Sequence, residues 1–227
     1  MMKFLKWFFG LFSPYVSPFE RKVDKFFVNI KSTDSLSSIK DKLLELMQEN
    51  LMIVNVWLEK KFKGYLYLTK DARRQMYAGT QLIIKKLEEF CAAHPVKIDD
   101  LKIFFKEQGF ALPDGAEDKL AYLYQIMMFL EPEKYYHYIT TASFGKLLRD
   151  PNKVKLEGDC NQIVTLYIYL YSLKYPVSDL QISFCRSMSA YILERLILSV
   201  QMVNLQNIKR IKRCFLQRKL FPQICWI

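Results

Sequence analysis

The 227-residue sequence predicts a mostly α protein, in which a helical body leads into a shorter α+β segment and then into a C-terminal tail of different composition. Apolar residues recur every three or four positions over several long stretches, which is the spacing of one helix face. Hydrophobic residues make up 51% of the chain, and only 7 glycines and 8 prolines interrupt it. This composition excludes a disordered or collagen-like chain and suffices for a core without disulfides or structural metals.

Residues 1–19 form an aromatic and basic N-terminal arm. Lys3 and Lys6 alternate with leucines, phenylalanines and Trp7 before Pro14. The apolar run is too short to span a bilayer, and no small-residue cleavage site follows it, so a cleaved signal peptide is not expected. Two interpretations of the arm remain open: it packs on its own domain, or it rests at a membrane interface.

Residues 20–150 are expected to form one mostly helical body. Capping and helix-breaking residues delimit its helices: Ser35 to Glu49, Thr69 to Phe90 before Pro95, a short helix capped by Asp99 and Asp100, and a helix that ends near Phe129 before Pro132. Residues 51–68 are compatible with either an extension of the first of these helices or a hairpin.

The segment 151–183 contains the candidate nucleophile, Cys160. The glycine-bearing stretch Leu156 to Asp159 leads to this cysteine, and a helix that is apolar on every side follows it. A thiol at a helix N-terminus meets unpaired N–H groups and the positive end of the helix dipole, which favour the thiolate. The same N–H groups can form part of an oxyanion hole. The alternative is that Cys160 is only a small buried hydrophobic residue.

The residues from 156 to 182 resemble the core of the transglutaminase-like superfamily, whose members are relatives of papain-type cysteine enzymes. The resemblance lies in Gly158-Asp159-Cys160, in the long apolar helix, and in the exit Tyr175-Pro176-Val177-Ser178-Asp179-Leu180-Gln181-Ile182. It implies a papain-like core with Cys160 as nucleophile, acting by thiol acyl chemistry on an amide or peptide substrate without a cofactor. Hydrolysis and acyl transfer both remain open.

The family resemblance also implies a histidine and an aspartate on strands that follow the nucleophile. The chain has two histidines, His94 and His137, and both precede Cys160. Without a base in the family's order, the thiol lacks its activating partner. The chain is therefore expected to be inactive as encoded.

Residues 184–227 differ sharply from the rest of the chain. They carry eight basic residues and one acidic residue, and three of the five cysteines. Codons that encode Phe184 to Leu193 can be chosen so that, read from the third base of the first codon, they encode L-P-E-H-V-C-L-H-F, a strand with histidine. The same shift, continued to Trp226, permits residues that alternate as in strands, acids that balance the bases, and an aspartate shortly after the histidine. We hypothesise a single-base slip near codons 182–184 that replaced the strands with the histidine and the aspartate.

The other interpretation takes the tail as written. Residues 191–203 have helical apolar spacing, and Lys209 to Arg213 form a basic cluster suited to a membrane surface or an acidic partner. Nucleic acid is not expected as a partner, because no RNA-binding motif, zinc-finger spacing or phosphate loop accompanies the cluster. A metal site is not expected either, since Cys91 and His94 lack a second ligand pair. The irregular cysteines point to the cytoplasm, with peripheral membrane contact through the arm or tail, and the oligomeric state stays open.

Overall fold

The computed structural model describes residues 13–107, 115–131, 136–139 and 143–180 of the chain. Six α-helices dominate this part: α1 (Pro18–Asn29), α2 (Leu36–Leu58), α3 (Lys70–Ala93), α4 (Ile98–Glu107), α5 (Glu117–Phe129) and α6 (Cys160–Ser172). A π-helical turn, Glu59–Lys63, continues α2, and a short 3-10 helix, Val177–Asp179, follows α6. The expectation of a mostly helical protein is confirmed. Residues 181–227, with the predicted strand after Leu180 and the predicted tail helix, lie outside the described residues.

A small parallel sheet lies between the helical body and α6. Strand β1 is Tyr136–Tyr138 and strand β2 is Leu156–Gly158. Tyr136 pairs with Leu156, and Tyr138 pairs with Gly158. Neither strand was predicted from the sequence. Strand β2 is followed directly by Asp159 and Cys160.

Helix α2 is longer than its apolar spacing predicts. Its N-terminus is capped as expected, because the Ser35 hydroxyl accepts the Ser38 N–H at 3.2 Å. The helix is kinked at Asn50, whose backbone leaves the helical conformation, and the Asn50 side chain accepts the Ile53 N–H at 2.9 Å. Asn50 thus acts as an internal cap that restarts the helix. The open choice for residues 51–68 is settled as a helical extension through Lys63 followed by a turn.

The other predicted helices of the body are confirmed. Thr69 caps α3 by accepting the Ala72 N–H at 3.2 Å, and the helix ends just before Pro95. Asp99 and Asp100 lie within the first turn of α4 rather than at its cap. Acidic residues in a first turn still favour the helix through its dipole.

The main hydrophobic core continues across residue 150. It extends from Leu51 on α2 to Val177 in the 3-10 helix and contains residues of α3, α5 and both strands. Helix α6 is surrounded by this core, since its residues Leu166, Leu170 and Tyr171 are fully buried. The helix that follows Cys160 is therefore central, as its uniformly apolar sequence predicts.

A buried ion pair fastens the described part of the N-terminal segment to the body. Glu20 on α1 is 0% exposed and Arg73 on α3 is 2% exposed. The Arg73 Nε donates to Glu20 Oε1 at 2.8 Å, and the same guanidinium donates to the Pro14 carbonyl at 2.7 Å. Tyr77 also donates to Glu20. We call these four residues the Glu20–Arg73 network. Residues 13–19 thus pack on the body, whereas residues 1–12 lie outside the described part.

The long helices do not resemble membrane spans. No helix in the described ranges is both long enough and apolar enough to cross a bilayer.

Candidate functional site

Cys160 is the first residue of α6, immediately after the cap residue Asp159. Strand β2 precedes it and holds Gly158 against the core. The predicted order of glycine-bearing loop, cysteine and buried helix is therefore present, and the residues before Asp159 form the short strand β2. We call residues 156–162 the nucleophile turn.

The turn is fixed by a reciprocal capping box. The Asp159 carboxylate accepts the N–H groups of Asn161 at 2.9 Å and Gln162 at 3.1 Å. The Gln162 side chain accepts the Asp159 N–H at 2.8 Å. Of the four N–H groups of residues 159–162, at the start of α6, the capping box uses three, and the one that it does not use belongs to Cys160. From the sequence, any of these N–H groups could donate to an oxyanion. In the structure, the Cys160 N–H is the one that the capping box leaves for this purpose.

Two electrostatic effects of opposite sign act on position 160. The N-terminal end of α6 carries the positive end of the helix dipole, which favours a thiolate. The Asp159 carboxylate is the adjacent residue, and a nearby negative charge disfavours one. The backbone at position 160 therefore combines a favourable helix dipole with an unfavourable neighbouring charge.

A cleft of about 540 Å³ lies along the first turn of α6. Its lining comes from the cap and start of α6, from the end of α2 with the π-helical turn, and from Phe144. The residues are Asp159, Asn161, Gln162 and Thr165, together with Asn55, Leu58, Glu59, Phe62 and Lys63. The cleft thus offers amide, carboxylate and hydroxyl groups beside apolar surface.

Glu59 is the buried acid of this cleft. It is 4% exposed, and its carboxylate accepts the Phe144 N–H at 3.3 Å and binds the Lys63 Nζ at 3.2 Å. Glu59 was not predicted from the sequence, because nothing in the local sequence shows that packing brings the turn after α2 to the same cleft as the first turn of α6.

His94 lies too far from Cys160 to act as its base. Its Nδ1 contacts the Phe90 carbonyl at 3.0 Å, and its ring stacks on Phe90 with 4.1 Å between centroids. Gln125, which donates to the His94 carbonyl, lines a cleft with Leu173 at the other end of α6. Because the rise along α6 from Cys160 to Ser172 is about 18 Å, His94 and Cys160 lie near opposite ends of this helix.

Cys91 lines the same distant cleft, and burial raises the pKa of its thiol. In the part of the chain that the structure describes, no group of three or more histidine, cysteine, aspartate or glutamate side chains could hold a metal ion.

Asp179 is likewise at the far end of α6. It is the last aspartate in the sequence, and its carboxylate accepts from the Lys119 Nζ at 2.8 Å and from the Tyr171 hydroxyl at 3.3 Å. Asp179 therefore lies at the opposite end of α6 from Cys160, paired with Lys119 and Tyr171.

His137 is the histidine that the fold brings closest to the nucleophile turn. It lies on β1 in register with Glu157 of β2, three residues before Cys160, and its side chain is exposed. Glu157 itself forms an ion pair with Lys146 at 3.3 Å. Register partners in a sheet project to the same face, so His137 and Glu157 lie on the same face of the β1–β2 pair. Sequence reasoning gave no sign of this, because the two strands were not predicted.

Searches of protein-family models, of curated proteins and of solved structures found no match to this chain.

Proposed function

We propose that residues 151–183 are the nucleophile-bearing part of a cysteine enzyme of the transglutaminase-like kind, in which Cys160 performs thiol acyl chemistry on an amide or peptide. The observation that carries the proposal is the position of Cys160. It is the first residue of a buried helix, and its own N–H is the one that the Asp159 capping box does not use. The capping box fixes the backbone of a cysteine in this position. The N–H of the same cysteine can donate a hydrogen bond to the oxyanion of the reacting carbonyl.

The chemistry follows from these positions. The sulfur attacks the carbonyl carbon, and the negative charge that develops on the carbonyl oxygen is met by the Cys160 N–H. The amine leaves with a proton from a general acid, and water or a second amine then attacks the thioester. The cleft beside the turn can receive the substrate, since Asn161 and Gln162 offer amide groups and Phe62 offers apolar surface.

The proton shuttle is the missing part. His94 lies at the wrong end of α6, and the family's order calls for a histidine after Cys160, where this chain has none. We therefore propose that the chain is inactive as encoded. Under the frame-slip hypothesis, one base restores a histidine strand and an aspartate further on.

Alkylation of the thiols tests the assignment of Cys160. The intact protein is treated with iodoacetamide from pH 6 to pH 9, and labelling is followed peptide by peptide, with Cys91 as internal control. Burial raises the pKa of Cys91 and slows its reaction. We expect Cys160 to react faster than Cys91, and Cys160→Ala to remove the fast phase only. A rate for Cys160 equal to or below that of Cys91 at every pH would overturn the proposal.

Sequencing the gene across codons 175–227 and some way downstream tests the missing base. We expect one base added or removed to open a frame that encodes a histidine strand and an aspartate strand. Protein made from that frame should acquire a Cys160 rate with the pH dependence of an ion pair of thiolate and imidazolium. If the reading frame is confirmed and the alternative frame encodes no such strands, the tail is genuine. The chain then has no histidine and aspartate to complete a triad with Cys160.

A non-catalytic binding role is the second candidate, because residues 184–227 hold eight basic residues against one acidic residue. Neutralising Lys209 to Arg213 should then weaken binding to anionic vesicles or to an acidic protein, and added salt should do the same. Salt-independent binding would exclude this role for the tail.

A further inference from the structure

The cleft that Cys91 lines has a volume of about 430 Å³ and lies between the C-terminal half of α3, helix α5 and the residues that follow α6. We call it the α3–α5 cleft. Small-molecule sites commonly combine an apolar lining with a few polar groups in a volume of roughly 300–1,000 Å³. The lining of this cleft has both kinds of residue: apolar Ile84, Leu87, Ala92, Tyr122 and Leu173, and polar Glu88, Cys91, Gln125 and Lys174.

Lys174 brings a positive charge to the cleft in a defined position. Its Nζ lies 4.2 Å from the centroid of the Tyr122 ring. The Tyr122 hydroxyl donates to the Leu170 carbonyl at 2.9 Å, so the ring beneath the ammonium is held in place. An ammonium over an aromatic ring keeps its charge and its N–H donors. Lys174 has no ion-pair partner among the described residues.

Glu88 brings a negative charge to the same cleft. Within the described ranges it has no ion-pair partner, so it is not neutralised by direct contact with Lys174. Both charges act on the Cys91 thiol: burial raises the pKa of this thiol, the Lys174 charge lowers it and the Glu88 charge raises it further. Two opposite charges therefore lie at one cleft without forming a salt bridge.

Gln125 adds a hydrogen-bond acceptor. Its Nε2 donates to the carbonyls of Cys91 and His94, at 3.1 and 2.8 Å. Because carbonyl oxygens only accept, these two bonds fix the orientation of the side-chain amide. The Gln125 Oε1 remains an acceptor without a donor in the described part of the chain.

We propose that the α3–α5 cleft binds a small zwitterion with an apolar body, of the class of the free aliphatic and aromatic amino acids. The ligand carboxylate meets the Lys174 ammonium, the ligand ammonium meets Glu88 and Gln125, and the ligand side chain lies against the apolar lining. Charge complementarity selects this class, because a ligand with a single charge leaves one of the two cleft charges without a partner. The proposal is independent of the chemistry assigned to Cys160.

Titration calorimetry of the full chain with three matched ligands tests the cleft. L-Leucine carries both charges, 4-methylpentanoate lacks its ammonium, and 3-methylbutylamine lacks its carboxylate. We expect leucine to bind with a Kd of about 1 mM or below, and each analogue to bind about tenfold more weakly. L-Phenylalanine, titrated in the same way, represents the aromatic members of the class. Leucine should also slow the alkylation of Cys91 by iodoacetamide and leave that of Cys160 unchanged.

Charge variants assign the two ends of the ligand. Lys174→Gln should weaken leucine binding about tenfold and remove its advantage over 3-methylbutylamine. Glu88→Gln should weaken it by a similar factor and remove its advantage over 4-methylpentanoate. Lys85→Gln and Glu89→Gln are the matched controls, because both residues are exposed on α3 outside the cleft and should leave binding unchanged.

Three results would overturn the proposal. The first is that neither leucine nor phenylalanine binds at about 20 mM. The second is that the single-charge analogues bind as tightly as the amino acids. The third is that the cleft variants bind like the controls. Circular dichroism checks that each variant is folded.

Discussion

The Glu20–Arg73 network and the nucleophile turn both organise polar groups at the protein core, but they do so in opposite ways. In the network, the Glu20 carboxylate accepts from Arg73, from Tyr77 and from the Val16 N–H, so donors come from α3 and from the segment before α1. In the turn, the Asp159 carboxylate is satisfied by its immediate successors, and an open cleft lies alongside.

This difference predicts that the network contributes to stability and that the turn affects the reactivity of Cys160. A closed network in which distant segments share one buried ion pair fixes those segments to each other and leaves no group for a ligand. In the nucleophile turn, the capping box fixes the backbone beside the cleft. It does not use the Cys160 N–H. Changes in the network should therefore alter unfolding but not thiol reactivity, whereas loss of the Asp159 charge should alter thiol reactivity with little effect on unfolding.

The largest effect is expected from Arg73→Met. Removing the guanidinium leaves the Glu20 carboxylate buried without its cation, which costs about 3–5 kcal/mol in the free energy of unfolding. Urea denaturation followed by circular dichroism measures it. Arg74→Met is the matched control, because Arg74 is exposed and pairs only with Asp71 at the surface, so it should change stability by about 0.5 kcal/mol or less. Equal losses for the two variants would show that the network does not fasten the N-terminal segment.

Gly79→Ala tests the contact that supports the loop before β2. A Cβ at residue 79 would lie 2.5 Å from the Leu148 carbonyl oxygen, so the helix and the loop must separate. We expect a loss of about 2 kcal/mol from overpacking, although the same change in an open helix gains up to about 1 kcal/mol. Gly115→Ala provides a comparison, since a Cβ there meets nothing within 4 Å and only its φ of 73° opposes the change. A gain in stability for Gly79→Ala would refute the close packing.

Structural features that depend on residues close together in the chain were predicted correctly from the sequence. Thr69 and Pro95 delimit α3 as expected, and the uniformly apolar stretch after Cys160 is the buried α6. The internal cap at Asn50 was not recognised, so the sequence left open whether residues 51–68 extend α2 or form a hairpin.

The features that the sequence did not reveal depend on distant pairing. The strands β1 and β2 have three residues each, which is too short for an alternating pattern, and they exist because Tyr136 pairs with Leu156. Glu59 reaches the cleft only because α2 packs along α6. The candidate nucleophile was visible in the sequence, whereas its surroundings were not.

Asp24→Asn probes the edge of the network in acid. Burial opposes ionisation of Asp24, but hydrogen bonds from Tyr15, Lys61 and Trp57 outweigh it and hold the pKa of Asp24 below its ordinary value. A lowered folded-state pKa contributes stability above the unfolded-state value of about 3.9 and loses it as the pH falls through the folded-state value. We expect the variant to be about 1–2 kcal/mol less stable at pH 7, and the gap to close below about pH 4. Unfolding curves that stay parallel down to pH 2 would contradict this.

The smallest change in stability, and the most informative about the turn, is expected from Asp159→Asn. Asparagine retains the acceptor that caps α6 but removes the charge beside Cys160, so stability should change by no more than about 0.5 kcal/mol. The alkylation rate of Cys160 near neutral pH should rise, because the neighbouring carboxylate no longer opposes the thiolate. Peptide-resolved labelling measures this rate, with Cys91 as the reference that stays constant.

Two further variants separate the charge of Asp159 from its cap. Asp159→Ala removes both and should lose about 1 kcal/mol, as should Thr69→Ala at the cap of α3. Only the change at residue 159 should alter the labelling of Cys160. If Asp159→Asn and Thr69→Ala leave that rate equally unchanged, the carboxylate does not control the thiol, and the nucleophile turn is a structural cap like that of α3.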